Sequence, residues 1–173
     1  QYHNGGGVVE IVVETCAGQC RKPYQRRVAS ARLHALLDER HVGPCRRLLL
    51  HLFGDLFGAV GNLLGATTVT TVATGILNLW MHPAEETAER YHSFVEEHGR
   101  RFLVGIGVSH APLIDAVNAE AGHYRRPLAR TAEYLDGLDD APDPLPATDR
   151  VLAALGPKML ELARNRASGS HPY

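Results

Sequence analysis

Histidines and acidic residues recur at spacings that could serve a metal. His51 and Asp55 are four apart, His92 and Glu96 repeat the spacing with His98 just beyond, and His110 with Asp115 makes a third pair. Residues four apart share one face of a helix, and His–carboxylate pairs from four facing helices build di-metal sites. Three irregular pairs fall short of that supply. The sequence therefore predicts no bound metal and no cofactor, with His51, Asp55, His92 and Glu96 the residues to check. The three cysteines, Cys16, Cys20 and Cys45, are odd in number. Cys16 and Cys20 could close one disulfide in an oxidising compartment, and a zinc site would be under-supplied. There is no Ser-centred nucleophile elbow, phosphate-binding glycine loop or HExxH. The chain thus reads as more a non-catalytic component than an enzyme.

The element expected to position these residues is the stretch 56–81, LFGAVGNLLGATTVTTVATGILNLWM, which holds no ionisable side chain. An uncharged run of more than about 18 mostly apolar residues predicts a transmembrane helix. Gly54, Gly58, Gly61, Gly65, Thr68, Val72 and Gly75 succeed one another at steps of three and four, a small-residue stripe on which a neighbouring helix could pack. The β-branched tract TTVTTVATG favours a strand locally, without a sustained alternation. The string HLFGDLFGAVG at 51–61 resembles a span of the cation-diffusion-facilitator zinc transporters that carries a His and an Asp in this arrangement. Those transporters have several spans and a second acidic pair, so here a polar pair at the mouth of one span is the expectation. The strings from His98 and from His110 resemble haem-side helices of globins, and a soluble all-α protein binding haem, a metal or a small apolar ligand is the alternative reading.

The chain divides into three regions. Residues 1–45 hold a strand-like strip at 8–13 after a glycine-rich start, then an Arg-rich amphipathic helix at 24–40. Residues 46–82 hold the hydrophobic helix. Residues 83–173 form a helical region, with helices expected at 83–104, 112–122 and 127–135, a proline-stiffened linker at 139–147, and a last helix to Asn165 divided near Gly156-Pro157. The expected fold class is mainly α, one central membrane helix with flanking amphipathic helices and a short N-terminal strand.

The balance of 18 basic and 19 acidic residues excludes a strongly basic nucleic-acid binder. Arg46 and Arg47 before the span and Glu85, Glu86 and Glu89 after it orient the N-terminal side inward. The chain begins at Gln1 and is read as processed or a fragment. Together these features predict an accessory subunit of a multi-subunit membrane complex, a respiratory or ATP synthase assembly of the mitochondrial inner membrane, with other subunits and lipid as its partners.

Overall fold

The structure is a computed structural model that describes residues 8–16, 24–25, 45–53, 55–112, 114 and 124–171. Three strands come first, β1 (Val8–Cys16), β2 (Tyr24–Gln25) and β3 (Cys45–Phe53). They are succeeded by helix α1 (Leu56–Gly65) and strands β4 (Thr71–Thr74) and β5 (Leu77–Asn78). The stretch 56–81 is therefore a helix, a turn and two strands, not one rod.

Its local chemistry explains the break. Leu56, Phe57, Val60, Leu63 and Leu64 are buried along α1, the three-and-four spacing of a helix packed on one face. From Thr67 to Val72 stand six β-branched residues in succession, each losing χ1 freedom in a helix and fitting a pleated strand. Arg101 fixes the turn, donating to the Leu64 carbonyl (2.9 Å), the Thr70 carbonyl (3.1 Å) and the Thr67 hydroxyl (3.1 Å). That guanidinium satisfies a carbonyl which the end of α1 leaves without an intrahelical donor.

Ten residues of α1 rise about 15 Å, half of a hydrocarbon layer. Among the described residues no helix is long and apolar enough to cross a membrane. The mainly-α class, the transmembrane helix and the inner-membrane location drawn from it are thereby corrected. Lack of charge suggests lipid exposure, but in this chain it reflects an interior shared by a helix and strands.

The other elements with described bounds are α2 (Ala84–His98), β6 (Phe102–Gly107), α3 (Pro127–Asp139), a 3-10 turn at Ala147–Asp149, β7 (Arg150–Ala153), α4 (Pro157–Arg166) and β8 (Gly169–His171); the helix expected at 112–122 lies outside the described residues except for 112 and 114, which are helical. Among the described residues the strands join one sheet in the order β2-β3-β1-β4-β6-β7-β8, with β5 also on β6. β1 is antiparallel to both β3 and β4, so the strand-like strip at 8–13 runs inside the sheet. β4, β5, β7 and β8 form a parallel set with β6. The helices pack in chain order, α1 on α2, α2 on α3 and α3 on α4. Helix alternating with parallel strand is an α/β architecture.

Several boundaries move for physical reasons. The helix expected to reach Val104 stops at Gly99, whose φ of 74° only glycine adopts freely. The next element is β6, in which Phe102 and Val104 to Gly107 are buried, the continuous burial of a central parallel strand. Pro157 opens α4 and divides nothing, while 150–153, expected to be helical, is strand. α3 starts at Pro127 as expected but passes through Gly137, where a Cβ would stand 3.0 Å from that of Ala84 on α2. The helix expected at 24–40 lies outside the described residues except for Tyr24 and Gln25, which are in β2.

Candidate functional site

A parallel sheet has two unlike ends. Ligands of α/β proteins collect at the carboxyl ends of the strands, where the connections to the helices can vary without disturbing the core.

At that end Trp80 lies two residues beyond β5, and its indole N–H donates to the Val108 carbonyl (2.9 Å), one residue beyond β6. The Tyr124 ring stands 5.8 Å from the indole, and the Arg130 guanidinium lies over its face at 5.7 Å. Ser109 (φ 57°) and Arg126 (φ 48°) are the non-glycine residues with positive φ among those described. They bracket the connection from β6 to α3. A left-handed conformation costs a side-chain-bearing residue about 1 kcal/mol, and such strain gathers at functional sites.

Trp80, Arg125, Arg126, Arg130 and Glu133 line a cavity of about 350 Å³ here. Pro127 begins α3, so the three arginines stand just before and within its first turn, where the helix dipole is positive. Glu133 lies 3.5 Å from Arg130, one helical turn on. Guanidinium groups stay charged throughout the accessible pH range and offer planar forks that match phosphate or carboxylate oxygens. Among the described residues the cavity thus brings together three cations, one carboxylate and an aromatic wall.

The amino ends of the same strands are closed. The Tyr91 hydroxyl donates to the Asp149 carboxylate, which Arg100 also holds at 2.7 Å. Burial, reinforced by that hydrogen bond, pushes the Tyr91 phenol up to about 12. Arg150, 1% exposed, donates from Nε to the Leu145 carbonyl (2.9 Å) and from Nη2 to Asp139. Arg166 on α4 holds Asp136 (2.8 Å) and Asp139 (2.7 Å). Burial alone would raise the Asp139 carboxyl, but the hydrogen bonds from Arg150 and Arg166 hold it below the ordinary range. These contacts tie elements together, a structural use of charge.

The residues expected from spacing are scattered. His51 is in β3, with Glu10 as its register partner, and Asp55 is exposed just before α1. His92 reaches the Pro144 carbonyl (3.2 Å), while Glu96 is exposed on α2. His98 is half-buried beside Glu97, and Asp115 lies outside the described residues. Among the described residues no group of three or more His, Cys, Asp or Glu is placed to hold a metal. Cys16 has Cys45 as its register partner, whereas Cys20 lies outside the described residues. Of the small-residue stripe, Gly54 is also outside, Gly58, Gly61 and Gly65 are in α1, Thr68 is in the turn, and Gly75 separates β4 from β5. A Cβ on Gly61 would meet the Phe94 ring at 3.2 Å and one on Gly65 the His98 ring at 3.9 Å, so those two glycines admit α2 of the same chain.

Spacing rules missed the cavity residues altogether. The available signal was Arg125-Arg126-Pro127, a cationic pair directly before a proline-started helix, which gains meaning once the preceding segment is known to be a parallel strand. No family model matches the chain, and no curated protein is significantly similar to it.

Proposed function

We propose that this α/β protein binds a small molecule carrying a phosphate or carboxylate group at the carboxyl ends of β5 and β6. The observation that carries the reading is the cavity itself: Arg125, Arg126 and Arg130 converge there beside Trp80, with one carboxylate among them. Each charge-assisted hydrogen bond from such a guanidinium to an anion contributes about 1.5–3 kcal/mol. The positive-φ residues Ser109 and Arg126 flank the same place, and backbone strain of this kind gathers at functional sites. The accessory-subunit expectation drew on the uncharged run, the small-residue stripe, the flanking charges, the strand-like strip and the lack of a catalytic constellation; of these, the uncharged run gives no membrane span among the described residues. Of the alternative reading, small-ligand binding is retained, with an anionic ligand in place of an apolar one.

Trp80 is the chain's single tryptophan and lines the cavity, which makes its emission a direct reporter. Titration with inorganic phosphate at constant ionic strength should change that emission saturably, and Arg126→Gln with Arg130→Gln should weaken the response at least about tenfold. A linear, non-saturating response in the parent chain would overturn the proposal.

A further inference from the structure

We infer that Cys16 and Cys45 are a cross-strand disulfide site, closed by a small-molecule disulfide such as oxidised glutathione and fastening β1 to β3 at the end of their ladder. The inference is independent of the anion-binding reading. β1 and β3 are paired antiparallel at nine successive positions, and Cys16 opposite Cys45 is the last of them. Directly opposite residues of an antiparallel pair have Cα atoms about 4.5 or 5.5 Å apart, depending on their place in the hydrogen-bond pattern. Both values fall within the roughly 4.4–6.8 Å that a disulfide spans. A bridge from Cys16 to Cys20, the pairing suggested by spacing, needs the chain to fold back directly beyond β1. The ladder delivers Cys45 without that requirement.

The register that makes this pair is specified by more than the cysteines. In it Glu14 stands opposite Arg47 and Glu10 opposite His51, on the same face as Cys16 and Cys45 by the alternation of a strand. Opposite charges across a ladder favour their own alignment, and a slip of one residue turns a strand's entire set to the other face. On its other side β1 pairs with β4 from Ile11 to Glu14. Cys16 lies beyond that second ladder, so among the described residues β3 is the neighbour that holds this end of β1. The bond also closes a loop that carries β2, itself paired with β3 at Leu48 and Leu49. Closure is a two-electron oxidation. One cysteine thiolate attacks the sulfur–sulfur bond of oxidised glutathione and releases a first glutathione thiol. The second thiolate attacks the resulting mixed disulfide, forms the Cys16–Cys45 bond and releases the other. The two cysteine protons and two electrons end in two molecules of reduced glutathione.

The test takes the full chain and its Cys20→Ser variant, reduced and then exchanged into excess oxidised glutathione at pH 7.5. Free thiols are blocked with N-ethylmaleimide, and the chain is digested without reduction and mapped by mass spectrometry. The monomeric parent should lose two hydrogens, with the Cys16 and Cys45 peptides joined and Cys20 blocked. Cys20→Ser should close the same bond. Its melting temperature should rise by roughly 7–14 °C over the reduced form, the effect of closing a loop of about 30 residues in a chain of this size. Dithiothreitol should reverse both changes. A parent bridge from Cys20 to either other cysteine, linkage between chains, or thiols that stay free or stop at the glutathione adduct would overturn the pairing. A Cys16–Cys45 bond that leaves the melting temperature unchanged or lowers it would overturn the fastening.

Discussion

The two ends of the parallel strands use the same residue type to opposite purposes. At the amino ends, Arg100, Arg101, Arg150 and Arg166 each direct their donors to carbonyls or carboxylates of neighbouring elements, and Arg150 is sealed from solvent while doing so. At the carboxyl ends, Arg126 and Arg130 are exposed around an open cavity, and the backbone beside them is left-handed at Ser109 and Arg126. Arginine at a strand's start is a fastener here, and past a strand's end it lines a solvent-open cavity. What distinguishes the two is burial, 1% exposure at Arg150 against exposed side chains at Arg126 and Arg130.

The largest effect should come from breaking the closed end. Arg150→Met removes the donors to the Leu145 carbonyl and leaves Asp139 with Arg166 alone, a loss of about 3 kcal/mol. For a chain of this size that lowers the melting temperature by roughly 6–12 °C. The increment in melting temperature produced by saturating phosphate should survive in this variant, because the cavity is at the other end. A variant that keeps its stability but loses the phosphate increment would invert the comparison.

The converse experiment leaves stability and removes binding. Phosphate at about a hundred times its dissociation constant should stabilise the parent by about 2.7 kcal/mol through linkage. In Arg126→Gln with Arg130→Gln that increment should fall below about 1 kcal/mol, while the unliganded chain unfolds within roughly 0.5 kcal/mol of the parent. A drop in unliganded stability as large as that of Arg150→Met would place these arginines among the fasteners.

A smaller effect separates the ends by pH. Asp139 is held below its ordinary range in the native state, so its contribution is present above the unfolded value near 3.9 and is lost as pH falls through the lower native value. Because the carboxylate is 46% exposed, solvent screening keeps the contribution under about 1 kcal/mol. Asp139→Asn should flatten the pH dependence of the urea midpoint below pH 4 without altering phosphate affinity at pH 7.5. An unchanged acid slope would show that the Arg150 and Arg166 contacts do not stabilise the native carboxylate.

How far the sequence foretells this molecule differs between its levels. Short-range signals are readable: the proline that opens α3, the dipole-matched Glu85 and Glu86 in the first turn of α2, and the strand-forming strip at Val8. Pairing is not, because nothing local distinguishes an apolar run buried by lipid from one buried by helices on a parallel sheet. The charge-free stretch 56–81 conceals a helix-to-strand change whose marker, six successive β-branched residues, is weaker than the signal of the missing charges. The site is hidden for a related reason. Trp80 and Arg130 are fifty positions apart, and only the placement of β5 beside β6 and the return of the chain into α3 bring them together.

The smallest effect probes the strain assigned to the open end. Ser109 has a φ of 57°, where a Cβ costs roughly 1–2 kcal/mol and glycine incurs no steric penalty. Ser109→Gly also enlarges the freedom of the unfolded chain, a loss of about 0.4–1 kcal/mol. The two contributions leave a net gain of about 0.5 kcal/mol in unfolding free energy, measurable in urea at pH 7.5. If the left-handed residue also holds the connection between β6 and α3 in a shape suited to the ligand, the same variant should weaken phosphate about twofold even as the fold is stabilised. Stability lost at this position would mean that the Ser109 side chain makes a contact outweighing its backbone cost, and the strain would then belong to neither end.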